Sequence, residues 1–277
     1  MKTTKIILLL LFLWTFNGYS QDAKTNSLTL NWGVGNLHRQ DVNFSPFIHK
    51  SWSGLNLGLV YEHTGKQYHR VYSRFGRYTA FHEGPFTYNT EEKGELKQVE
   101  TLPHSFNMLD LNYTLGFKVM SSEKVTILLG GQARNLLNIG DYEYGNSGIG
   151  FYNFAFGIDV WSSAKYKLSD KHSLGAELSL PIFSWVTRSP YLGQDDQYFR
   201  DVAKNKVFDS IGNYLRRGEL QSWGGFQRVD FQMNYTYALS EKWNLKATYS
   251  LNMNFSKTPQ SYTSIENVLM IGAQINL

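Results

Sequence analysis

Residues 242–256 alternate without a fault. Trp243, Leu245, Ala247, Tyr249, Leu251, Met253 and Phe255 are apolar, and Lys242, Asn244, Lys246, Thr248, Ser250, Asn252 and Asn254 between them are polar. Strict period-two alternation over that length describes a β-strand with one apolar and one polar face; a helical step of about 100° would scatter both sets around the axis. A chain carrying such a strand must offer both faces a compatible medium.

The pattern recurs. In residues 225–239, Val229, Phe231, Met233, Tyr235, Tyr237 and Leu239 share one face; in residues 105–120, Leu109, Leu111, Tyr113, Leu115, Phe117 and Val119 do so. Residues 124–137, 151–168, 172–187 and 264–277 behave likewise, 28–36 and 55–63 are shorter, and 68–81 is interrupted by Arg70, Arg74 and Arg77. Pro181 inside one of these segments predicts a bulge there. Ten strands are expected.

The connections alternate in length. Ser121-Ser122-Glu123-Lys124, Leu168-Ser169-Asp170-Lys171, Leu239-Ser240-Glu241-Lys242 and His63-Thr64-Gly65-Lys66 read as tight turns. Residues 81–104, 137–150, 188–221 and 257–263 read as long loops. Walking up and down the chain puts every tight turn at one end and every long loop at the other. With an even strand count, both termini lie at the tight-turn end. An even-stranded antiparallel sheet with that asymmetry is the pattern of a transmembrane β-barrel.

Three features favour a barrel with its apolar face outward over a soluble one. The strands are longer than soluble sheets use. The loop asymmetry has no purpose in a soluble barrel. Finally, Phe117, Tyr166, Tyr237 and Trp243 all lie on the apolar face close to a tight turn, as a girdle at one membrane interface.

The N-terminus reads as a secretory signal peptide over residues 1–20, with Lys2 and Lys5 before an apolar core and cleavage after Ser20, leaving 21–277 as one barrel domain. The composition gains meaning from this. A mean hydropathy of −0.36 with 16% aromatic residues excludes a bundle of membrane helices, yet it suits a barrel that averages a lipid face, a wet lumen and polar loops. Loss of Lys2 and Lys5 from 27 basic residues leaves 25 against 23 acidic ones, too balanced for a nucleic-acid partner. With no cysteine, disulfides, thiolate metal sites and a Cys nucleophile are excluded.

The signal peptide, the repeated Ser-Glu/Asp-Lys turns and the alternating C-terminal strand resemble the small outer-membrane β-barrel proteins of Gram-negative bacteria. The resemblance spans residues 25–277 and is architectural. It implies an all-β, antiparallel up-and-down barrel in the cell outer membrane, with short periplasmic turns and long extracellular loops. The partners it implies are outer-membrane lipid and the barrel assembly machinery. Members usually end in an aromatic residue; here the outward row Ile271, Ala273, Ile275, Leu277 ends in Leu.

Parity places Glu62, Asp110, Lys118, Arg134, Asp159, Lys165, Glu177, Arg228, Asp230, Lys246 and Glu266 inside. Counted from the turns at ~3.3 Å per residue and a tilt near 45°, Asp110, Arg134, Asp159, Arg228 and Asp230 share a layer on the order of 25 Å above the periplasmic rim. Paired charges filling the lumen are the plain reading; a polar constriction or ligand-contacting layer is the sharper one, and a catalytic carboxylate pair a third.

Enzyme signatures are sparse. The resemblance brings to mind ten-stranded outer-membrane proteases, whose Asp-x-His element does not occur here; Asp170-Lys171-His172 lies at the wrong end. His172 and Ser173 are adjacent in a strand and point to opposite faces. His82 and His104 flank the second long loop, where Glu83 or Ser105 could join them. No phosphate loop, HExxH motif or nucleophile elbow occurs, and no cofactor or metal is indicated.

The longest loop, 189–221, carries an amphipathic pattern over residues 197–217, with Phe199, Val202, Phe208, Ile211 and Leu215 on its apolar side. It predicts a helix of about five turns, either a lid on the barrel mouth or a docking surface for a protein or lipid. The function expected is non-enzymatic: a surface binding or accessory protein, with a subunit of a larger outer-membrane complex as one form of it. The alternatives are a narrow, porin-like passive channel and a lipid- or protein-modifying hydrolase.

Overall fold

The computed structural model describes residues 25–80, 87–100, 103–144, 147–189 and 207–277. In chain order the strands are β1 (Thr25–Asp41), β2 (Ser45–Thr64), β3 (Tyr68–Ala80), β4 (Thr87–Glu92), β5 (Glu95–Glu100), β6 (Ser105–Ser121), β7 (Val125–Tyr144), β8 (Ser147–Lys167) and β9 (His172–Arg188). Among the described residues one helix, α1 (Val207–Leu215), precedes β10 (Glu219–Gln221), β11 (Phe226–Ala238), β12 (Trp243–Ser256) and β13 (Tyr262–Asn276).

Ten of these strands close an antiparallel barrel in the order β1-β2-β3-β6-β7-β8-β9-β11-β12-β13, and β13 returns to β1. The short β10 adds to the outer end of β9, and β4 and β5 form a separate hairpin. Every strand neighbours the next one in the barrel, so the four tight turns gather at one end.

The outward face is apolar on strand after strand: Leu28, Leu30, Trp32 and Val34 on β1, Leu57, Leu59 and Tyr61 on β2, and Leu245 and Tyr249 on β12 are all exposed. A soluble protein does not present so continuous an apolar belt to water. Lipid covers it, and the chain spans a membrane with strands; among the described residues no helix is long and apolar enough to do so. At the tight-turn edge of the belt, Phe117, Tyr166 and Trp243 point outward with nearly half of each side chain exposed. Tyr237 lies beside them, its ring 5.0 Å from that of His172.

Several boundaries differ from expectation, each for a physical reason. β1 and β2 are joined only by residues 42–44, because β2 begins well before Leu55. A register shift between Trp52 and Leu55 explains the concealment. Ser51 and Ser53 are buried before it and Asn56, Gly58 and Val60 after it, so the inward parity changes from odd to even. Residues 137–150 are not a long loop: β7 and β8 pair out to Tyr144 and Ser147, extending the hairpin beyond the belt. The connection 81–104 contains the β4–β5 hairpin. The bulge predicted at Pro181 falls where Ile158 and Asp159 face Phe183 and Pro181, leaving Ile182 as the extra residue.

The lumen is not polar throughout. Above the charged layer its lining turns apolar, with Leu37, Phe44, Tyr78, Phe106, Met108, Leu136, Tyr142, Ala155, Val186 and Phe226 packed into one buried cluster. Parity predicts the inward direction of Phe106, Met108 and Leu136; the expectation of paired charges filling the lumen left this apolar tier out.

Candidate functional site

Inward parity on adjacent strands stacks the lumen side chains in tiers. At the tight-turn end, Lys246 Nζ lies 2.9 Å from Glu62 Oε2, and the Tyr68 hydroxyl donates to Glu62 at 2.6 Å. Tyr68 stacks on Trp161 at 5.4 Å, and the Trp161 indole donates to Glu177, which also pairs with Arg70. The second amino group of Arg70 reaches Gln232 Oε1 at 3.1 Å.

The five residues assigned to one layer meet. Arg134 Nε lies 2.6 Å from Asp159, and the same guanidinium contacts Asp230. Arg228 bridges Asp230 at 2.8 Å and Asp110 at 3.0 Å. The layer contains two further charged members. Arg74 contacts Asp110 at 2.7 Å and Glu266 at 2.6 Å, and Asn252 donates to Glu266 at 2.8 Å. Arg74, which interrupts the β3 pattern in sequence, is thus the bridge between two carboxylates. Forked Arg–carboxylate contacts pair these buried charges. Arg70, Tyr72, Asp110, Arg134, Glu177 and Arg228 help line a cavity of about 30 Å³, room for about one water molecule.

Over this layer sits the apolar plug, and above that a polar clasp at the long-loop rim. Arg39 donates from Nε to the Tyr142 hydroxyl at 2.6 Å and lies over the rings of Phe106 and Tyr262, 4.9 Å from each centroid. Arg188 pairs with Asp41 at 2.7 Å and donates to the carbonyls of Thr258 and Gln260 at 2.7 Å each. It ties residues 257–261 to β1.

His104 takes part in this clasp. Its Nε2 is 2.9 Å from Ser51 Oγ and its Nδ1 is 3.3 Å from His49 Nδ1. The order serine, histidine, orienting group is that of an activated nucleophile, but Ser51 is only 1% exposed and sits where the plug seals the lumen, so no substrate carbonyl reaches it in this conformation. Both of these partners belong to β2, more than fifty positions away in sequence. His82 and Glu83 lie outside the described residues.

Part of the predicted loop helix falls on described residues. α1 covers Val207–Leu215; Phe199 and Val202 lie outside the described residues, and α1 carries Phe208, Ile211 and Leu215. Tyr214, not among the predicted docking residues, anchors it: its ring stands 3.7 Å from that of Tyr152 and 5.2 Å from that of Phe154, and its hydroxyl donates to the Tyr152 carbonyl at 3.1 Å. Leu215 packs against the same group, while Ile211 is exposed.

No protein-family model and no curated protein sequence matches this chain. Solved structures do. The outer-membrane protease OmpT from Escherichia coli superposes with a TM-score of 0.50 at 8% identity, covering 95% of this chain and 99% of that one. The β domain of the Bordetella autotransporter BrkA gives 0.40 at 11% identity, over 92% and 100% of the two chains. Neisserial surface protein A gives 0.37 at 8%, over 92% and 99%. At such identities the likeness to OmpT is one of fold: this chain has the fold of an outer-membrane β-barrel.

Proposed function

We propose that this protein is a closed outer-membrane barrel that works at its long-loop end as a non-enzymatic binding or accessory protein, reaching the membrane through the barrel assembly machinery. The filled lumen carries the reading. From Glu62–Lys246 through Arg70–Glu177 and Arg228–Asp110 to Arg39–Tyr142, side chains join strands that are not neighbours in the sheet and so bridge the lumen, which weighs against a passive channel. The long-loop end supplies surface instead. The β4–β5 hairpin stands apart from the barrel sheet with Leu96 79% exposed, and Leu220 and Trp223 are exposed beside the docked helix. These residues suit a protein partner at the extracellular face.

Planar-bilayer recording tests the closed lumen. The purified barrel is expected to give no steady open steps; steps in the wild type that grow after Arg134→Ala would establish the channel reading in its place. Copurification in mild detergent tests the partner. A stoichiometric companion is expected with the wild type and lost when residues 87–100 are replaced by a short Gly-Ser turn.

A further inference from the structure

The tight-turn end carries a second built feature, unrelated to the lumen. On the outward face a groove of about 400 Å³ crosses four neighbouring strands, lined by His172, Tyr235, Tyr237, Leu245, Ala247 and Ile271. Register creates it: Ala247 on β12 lies opposite Tyr235 on one side and Ile271 on the other, so a short side chain is flanked by long ones.

At the end nearest the tight turns the groove becomes polar. His172 Nδ1 is 2.6 Å from the Tyr235 hydroxyl; with that hydroxyl donating, the ring proton lies on Nε2 and is available to an acceptor. Two turns border this end, Leu168-Ser169-Asp170-Lys171 and Leu239-Ser240-Glu241-Lys242, held together by a hydrogen bond from Ala238 N to the Lys171 carbonyl. Lys167 pairs with Asp170 at 2.7 Å. The exposed side chains of Lys171 and Lys242 have no ion-pair or hydrogen-bond partner among the described residues.

We propose that this groove is a binding site for one anionic glycerophospholipid of the leaflet at the tight-turn end. An acyl chain lies over Ala247 between Tyr235 and Ile271, and the phosphate meets Lys171, Lys242 and His172. The position supports the occupant: the apolar part is continuous with the lipid-covered belt, and the two lysines stand at headgroup height, where basic side chains attract anionic lipid. Charge complementarity selects an anionic headgroup over a zwitterionic one.

Native mass spectrometry of the purified, folded barrel with added phosphatidylglycerol or phosphatidylcholine tests the site. One phosphatidylglycerol is expected to stay bound per barrel. Exchanging both lysines, Lys171→Ser with Lys242→Ser, lowers that affinity roughly 30-fold, the weight of two lysines beside an anionic headgroup, and leaves phosphatidylcholine binding unchanged. Ala247→Trp fills the groove and removes the bound lipid. Ala133→Trp, also outward but on β7, leaves it in place, and heat-dependent gel mobility confirms that each variant is folded. Retention of the lipid by Ala247→Trp, or equal binding of the two lipids by the wild type, overturns the proposal. An unchanged lipid preference in the double lysine variant overturns it too.

Discussion

Replacing Arg74 with methionine removes the cation that joins Asp110 to Glu266 while keeping an unbranched apolar stem. Asp110 retains Arg228 at 3.0 Å, so it stays paired. Glu266 does not. It is fully buried, and without Arg74 it keeps only the Asn252 amide at 2.8 Å and the Tyr78 hydroxyl. A buried carboxylate stripped of its cation costs about 3–5 kcal/mol. Glu266→Gln alone is milder, about 1.5–3 kcal/mol for a lost charge-assisted hydrogen bond, because Arg74 keeps Asp110. Combining Arg74→Met with Glu266→Gln removes the orphaned charge, so the double variant is expected to cost less than the sum of the two single variants, with a coupling of about 2 kcal/mol in the cycle. Urea unfolding in lipid vesicles, followed by tryptophan emission and by the heat-dependent gel shift, reads all four corners. A loss under about 1 kcal/mol for Arg74→Met, or strict additivity in the cycle, would show that water reaches the layer and that the lumen is not sealed.

Two other perturbations test the packing. A Cβ on Gly130 would lie 1.9 Å from the Leu115 carbonyl oxygen, whereas one on Gly131 meets nothing nearer than 3.8 Å. Gly130→Ala is therefore expected to destabilise the barrel by about 1–3 kcal/mol in the same urea assay, and Gly131→Ala to be close to neutral. Tyr214→Ala is expected to release α1, with faster hydrogen exchange confined to residues 207–215 and an unchanged barrel melting temperature.

The barrel itself was legible because lipid and lumen impose opposite demands on alternate residues, and β12 obeys them over its whole length. What period-two reasoning missed lies where the period breaks or the medium changes. At Gly54 and Leu55 the bulge reverses parity, so the first half of β2 reads as loop. Beyond Leu137, Asn138, Gly140 and Asp141 look like a turn, yet they are strand because β7 and β8 rise above the membrane, where neither face must be apolar. The charged layer could be assembled from parity and counting, since height along a tilted strand is nearly linear in residue number. Arg74 fits the same inward parity, but its neighbours Arg70 and Arg77 hid it among charges on both faces. The contact of Ser51 with His104 depends on curvature across the barrel wall, which no local spacing encodes.

The pairing of β1 with β13 sets a rule of timing. Ser27 faces Asn276 and Asp41 faces Tyr262, so the last seam joins the two ends of the barrel sequence. Until the final strand exists, two strand edges stand open, each a template for mispairing. The closing contact has the greatest sequence separation in the sheet and is the costliest to find. The barrel sheet is therefore free of unpaired edges only once all ten strands are present.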